Sequence, residues 1–113
     1  MNIHVEGSLL DLTPSVVTYI KEKINPLERM LLNLAQGEEV VVFVKLARVS
    51  KHHRHGDVFN ASLSIKLPGK ILRATHAAMN ARAAIDMVRE TLRSDIARHK
   101  SKTLQARRPR RPR

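Results

Sequence analysis

The stretch Asn80 to Lys100, NARAAIDMVRETLRSDIARHK, decides the reading of this chain. Ala81, Ile85, Val88, Leu92 and Ile96 recur at spacings of three and four, the period of one apolar helix stripe. At about 100° per residue, Arg82, Arg89, Arg93 and Lys100 fall in a second, narrow stripe roughly a quarter turn away. One helix is therefore expected to do two jobs. Its aliphatic stripe clamps it to a core, and its cationic ridge suits a polyanion. Basic residues also sit on solvated helix faces without any ligand, so the ridge alone assigns no partner.

Outward from that helix, charge is the loudest signal. Lys and Arg number 21 against 10 Asp and Glu, a formal net charge of +11, and the isoelectric point is near 11.1. Five of the positives are arginines between Arg107 and Arg113; removing those five from +11 still leaves +6 on the rest. Such a body is drawn to nucleic acid or to an anionic membrane surface. The hydrophobic fraction of 42% in 113 residues fits one folded domain, and aromatics at 3% leave its packing to Leu, Ile, Val and Ala. No cysteine is present. Disulfides and thiolate metal sites are thereby excluded, which suits a reducing cytoplasm. No apolar run approaches the ~20 residues of a membrane span, and Met1–Gly7 alternates as a strand does rather than as a signal peptide. A basic amphipathic helix could lie on a membrane, but this one is Ala-rich on its apolar face and carries no Trp or Phe. No membrane partner is expected.

In chain order, Ile3 and Val5 share one face of a first strand, Met1–Glu6, closed by Gly7. Thr13-Pro14 opens a helix: Thr offers a cap oxygen, and Pro at the first helical position gives up no needed donor. Val16, Val17, Ile20 and Ile24 form its apolar face. Pro26 should end or kink it near Asn25, with a second piece from Pro26 to Leu34 turning Leu27, Met30 and Leu31 inward before Gln36-Gly37. Glu38–Val49 is rich in β-branched residues and reads as a central strand. Ser50–Gly56 is a polar turn, and Phe59–Leu67 alternates with Phe59, Ala61, Leu63, Ile65 and Leu67 inward. Pro68-Gly69 turns the chain into a short strand, Lys70–Thr75, and Asn80 or Thr75 caps the long helix.

The order β-α-β-β-β-α predicts an α+β fold, a two-layer sandwich in which two helices cover one face of a four-stranded mixed sheet. The first crossover is long enough to join parallel strands in a right-handed sense. Residues 1–102 form the expected domain. Residues 103–113, ending in the Arg-Pro run, form an expected disordered basic tail.

Gly7, Thr13-Pro14, Tyr19-Ile20, Lys23-Ile24 and Leu27-Glu28-Arg29, with Ala84-Ile85-Asp86, Leu92 and His99-Lys100, resemble the short ribosome hibernation promoting factors and ribosome-associated inhibitors. The likeness covers nearly the whole chain except the tail. It implies a fold similar to a double-stranded-RNA-binding domain with an added first strand. It also implies a non-enzymatic translation inhibitor that occupies the mRNA and tRNA channel of the small ribosomal subunit. The implied partners are small-subunit rRNA, 70S ribosomes and, for one subtype, 100S ribosome dimers; off the ribosome a monomer is expected. No cofactor belongs to the family. Long members carry a further dimerisation domain, for which this chain has no room. Three features depart from the pattern: Ala77, Ala78, Met79, Asn80 and Arg82 stand where acids and a Tyr are common, Pro26 interrupts a helix that is usually continuous, and the Arg-Pro tail is unlike that of either short subtype, which leaves open whether the chain pairs ribosomes or only inactivates them.

RNA recognition of this kind rests on phosphate neutralisation and shape. Arg82, Arg89, Arg93 and Lys100 are the first candidates for phosphate contact, with Arg98 on the same helix. Lys23 and Arg29 follow from the resemblance. A general double-stranded-RNA binder is the alternative reading. Tyr19 suits the core better than a stacking role, lying along an apolar helix face. His52, His53 and His55 in one turn, with only Asp57 as a carboxylate partner, make a poor metal site, and no metal is expected. His99 is expected to pack at the helix end, where its charge suits the dipole. Asp86 and Glu90 lie among Arg82, Arg89 and Arg93, so pairing within the helix accounts for them. With no phosphate loop or nucleophile motif, no catalytic residue is expected.

Overall fold

Alternating residues at the start of the chain become strand β1 (Asn2–Ser8), with Ile3 and Val5 half-buried against the core and Asn2, His4 and Glu6 exposed. The computed structural model describes residues 1–50 and 57–107. Helix α1 (Pro14–Ile24) starts as its sequence requires: Thr13 is extended, and its Oγ1 accepts from the Val16 N–H at 3.3 Å. Pro26 acts where expected. Asn25–Leu27 forms a single 3-10 turn, and helix α2 (Glu28–Ala35) resumes behind it, ending at Gln36 in the left-handed conformation and Gly37 at φ +82°. The first helical arm is thus bent into two segments.

Strands β2 (Val41–Ser50), β3 (Asp57–Leu67) and β4 (Lys70–Ala78) complete a sheet of order β1-β2-β3-β4. β1 and β2 run parallel, joined through the helical arm; the other pairs are antiparallel. Registers such as Ile3↔Val42↔Ile65↔Leu72 and Val5↔Val44↔Leu63↔Ala74 set one aliphatic face. Helix α3 (Ala81–Arg107) lies on that face. Ile85, Val88, Leu92 and Ile96 from it meet Ile20, Ile24, Leu27 and Leu31 of the helical arm and Val42, Val44, Leu46, Leu63 and Ile65 of the sheet in one core. Each of these side chains contributes about 1.5–3 kcal/mol by leaving water. The fold is the expected α+β arrangement of a four-stranded mixed sheet with its helices on one face.

Three local expectations need correction. β4 continues to Ala78 rather than ending at Thr75, because β3 offers partners as far as Phe59↔Ala78. Thr75 is therefore no helix cap; its hydroxyl lies 3.1 Å from that of Ser62 across the strands, and Asn80 caps α3 by accepting from the Ala83 N–H at 2.7 Å. α3 also outruns the expected domain edge, continuing over residues 103–107 to Arg107. Thr103 to Arg107 contain no proline to stop it; the first tail proline is Pro109. His99 consequently sits within the helix, half-buried, rather than at its end. Residues 51–56, with His52, His53 and His55, and residues 108–113 lie outside the described residues.

Gly7 shows why a small residue stands at the end of β1. A Cβ there would lie 2.8 Å from Leu12 Cγ and 3.2 Å from the Leu10 carbonyl oxygen. The chain doubles back tightly before Thr13, and only the absence of a side chain permits it.

Candidate nucleic-acid interface

The cationic ridge of α3 faces the seam between α3 and α1. Tyr19 marks that seam. Its hydroxyl donates to Asp86 Oδ1 at 2.7 Å, which ties the middle of α1 to the second turn of α3. Lys23 Nζ lies 3.7 Å from the same carboxylate oxygen. Two cations flank the ring: Lys23 Nζ is 5.4 Å from its centroid and Arg82 Cζ is 5.0 Å from it. Arg82 Nη2 further donates to Ser15 Oγ at 3.2 Å. These pairs arise from helical spacing, since Tyr19 and Lys23 are one turn apart on α1, as are Arg82 and Asp86 on α3.

Arg89 locks the lower end of the seam. Its Nε donates to the Lys23 carbonyl oxygen at 3.1 Å, and its guanidinium also meets Glu90. Lys23 belongs to the last turn of α1, just before the break at Pro26. The Arg89 cation also suits the negative end of that helix. Arg93 is exposed and Lys100 half-buried, farther along the same stripe.

Asp86 holds the Tyr19 hydroxyl in its protonated form, pushing its pKa above the usual 10; burial adds to the rise and Arg82 opposes it. The carboxylate keeps Lys23 beside it without neutralising the whole face, because Arg82, Arg93 and Lys100 lie along the same side. The expectation of intrahelical pairing therefore fails for Asp86, which bonds across helices to Tyr19 and Lys23. For Glu90 it holds, through Arg89.

The candidate residues separate into groups. Lys23, Arg82 and Arg89 are brought together at the seam, and Arg93 and Lys100 continue the ridge. Arg29 is exposed on α2, outside the Tyr19 cluster. Arg98 lies on the other side of α3, paired with Asp95 in a depression that Lys70, Ile71, Leu72, Arg73 and His99 complete. Tyr19 packs against the core as the sequence reading expects, but that reading missed the bonds its hydroxyl and ring make at the seam, together with Asp86 and Ser15. The available signal was an acid, Asp86, interleaved among cations at i−4, i+3 and i+7, opposite a tyrosine with its own lysine at i+4. The apolar stripe of α3, Ile85, Val88, Leu92 and Ile96, is buried in the core. No helix among the described residues is long and apolar enough to cross a membrane.

The sequence model of the family described as Sigma 54 modulation protein / S30EA ribosomal protein matches residues 3–104. The chain belongs to that family. A ribosome hibernation promoting factor from Azotobacter vinelandii is 26% identical over 112 residues, spanning 99% of this chain and 94% of the relative. The crystal structure of the Protein Y N-terminal domain from Thermus thermophilus superposes with a TM-score of 0.71 at 26% identity, covering 88% of this chain and 99% of that one. A ribosomal subunit interface protein from Coxiella burnetii shares the fold, with a TM-score of 0.64 at 16% identity over 89% of this chain and 99% of its own. The resemblance read from Thr13-Pro14 and Ala84-Ile85-Asp86 is thus to the right S30EA-family members. Both motifs lie at the seam: Thr13-Pro14 starts α1, and Asp86 bonds to it.

Proposed function

We propose that this S30EA-family chain is a ribosome hibernation factor that silences translation by occupancy. Its α1–α3 seam docks on small-subunit rRNA within the channel that mRNA and tRNA use, and no bond is made or broken. The protein works in the cytoplasm, on 70S ribosomes; a 100S peak that forms on adding it to purified ribosomes would mark it as a dimer-promoting factor, and no such peak as a plain inactivator. The observation that carries this reading is the alignment of Lys23, Arg82, Arg89, Arg93 and Lys100 along one two-helix face, with Tyr19 and Asp86 holding Lys23 and Arg82, and the Lys23 carbonyl holding Arg89. Cations already held in place lose little side-chain freedom on meeting phosphates, and each contact releases counterions. The name of the Azotobacter relative points the same way.

Sedimentation of the protein with purified ribosomes tests the proposal. At low salt it should travel with 30S and 70S particles, and it should leave them at high salt. Recovery only at the top of a low-salt gradient overturns the ribosomal reading. If duplex RNA displaces it from ribosomes as well as free ribosomes do, the protein is instead a general double-stranded-RNA binder.

A further inference from the structure

We infer that the open face of the sheet, opposite the helices, is a second RNA site: a stacking platform for unpaired bases. The residues that point away from the core are set by register. His4, Phe43, Ser64 and Arg73 form one row across the four strands, and Glu6, Lys45, Ser62 and Thr75 form the next. Phe43 is 52% exposed although it sits on an interior strand. A lone exposed apolar residue needs no explanation. Phe43 is not alone, because the His4 ring stacks on it with centroids 5.1 Å apart and planes 18° from parallel.

His4 occupies the β1 side of Phe43. On the β3 side the neighbours are the small Ser62 and Ser64, which with Lys45 help to line a shallow depression beside the ring. A third flat ring fits there, extending the stack over the free face of Phe43. The serine hydroxyls lie where the edge of such a ring would be. Among the described outward positions of the sheet the charges are Lys45, Lys66 and Arg73, against the single carboxylate of Glu6. Aromatic faces interleaved with cations and hydroxyls match a base-bearing polyanion, since every base has a π-face and each carries a phosphate. A second copy of the chain fits poorly. A two-fold contact would bring this patch against itself, cation to cation.

The assay is fluorescence anisotropy with the full chain, a short labelled oligouridylate and an oligomer of equal length and charge that carries abasic sugars. The intact protein should prefer the base-bearing oligomer by about five-fold or more, the scale of one base–aromatic stack. Phe43→Ala should remove that preference without changing affinity for the abasic oligomer, because no charge is lost. Phe43→Tyr should retain it. Arg93→Ala, on the helix seam, should leave the preference intact, which separates this platform from the ribosomal reading. Equal affinity of the intact protein for the two oligomers overturns the inference even if Phe43→Ala misfolds. So does a preference that survives Phe43→Ala, or one that vanishes only when Arg93 is replaced.

Discussion

Replacing Arg93 by Ala is the cleanest probe of the helix face, because Arg93 is exposed on the ridge while Arg89 has a structural bond of its own. Suppose Arg82, Arg89, Arg93 and Lys100 each neutralise one phosphate. The logarithm of affinity should then fall against the logarithm of salt with a slope of about −3.6, near −0.9 per contact. A fourfold rise in salt would cost the parent protein about 150-fold in affinity, and Arg93→Ala, with a slope of about −2.7, about 40-fold. Stability should stay within about 0.5 kcal/mol of the parent, as for other surface substitutions. Arg89→Ala should lower the slope similarly but also destabilise the fold. It loses a half-buried, charge-assisted bond to the Lys23 carbonyl, worth about 1 kcal/mol after allowance for exposure, or about 4–8 °C in Tm. Arg98→Ala, on the far side of α3, serves as control and should leave the slope unchanged. Filter binding to 30S subunits across a salt series, with urea denaturation alongside, measures all three. If Arg93→Ala keeps the parent slope while Arg98→Ala reduces it, the seam is not the ribosomal surface and the side of α3 facing β4 is.

Tyr19→Phe should destabilise the protein at neutral pH by about 1 kcal/mol, the bond to Asp86 being lost at a half-exposed site. The folded-state pKa of Tyr19 lies above its unfolded value, so the contribution is complete below about pH 10 and disappears as pH rises through the folded pKa; urea melts of parent and variant should converge in strong alkali, and a gap that persists there refutes the assignment. Gly7→Ala should cost about 1–3 kcal/mol through overpacking against Leu12 and the Leu10 carbonyl, read as a lower urea midpoint with an unchanged m-value. Asn80→Ala should cost about 1 kcal/mol by uncapping α3, and Asn80→Asp should retain most of it; equal losses in both variants would exclude capping as the cause.

The architecture was legible because its signals are local. Periodicity marked the strands and the long helix, Thr13-Pro14 and Pro26 marked the ends of α1, and Pro68-Gly69 marked the β3–β4 hairpin. The extent of β4 was not legible, because Ala77 and Ala78 carry no strand preference of their own and are recruited by pairing with Asn60 and Phe59. The cationic ridge was also visible in spacing. Its partners were not. Tyr19 and Asp86 are 67 positions apart, and only the packing of α1 on α3 turns a core-like tyrosine and a helix-surface acid into one bonded pair. Arg98 shows the converse. Sharing a helix with the ridge did not place it on the ridge's side.

The seam has a practical consequence. Tyr19 is the one tyrosine in a chain without tryptophan, so the protein's own near-ultraviolet emission reports on this single location. Any anion that draws Lys23 or Arg82 away from the ring alters the light that Tyr19 returns. A short RNA bound at the proposed seam should therefore change the emission of the unlabelled protein.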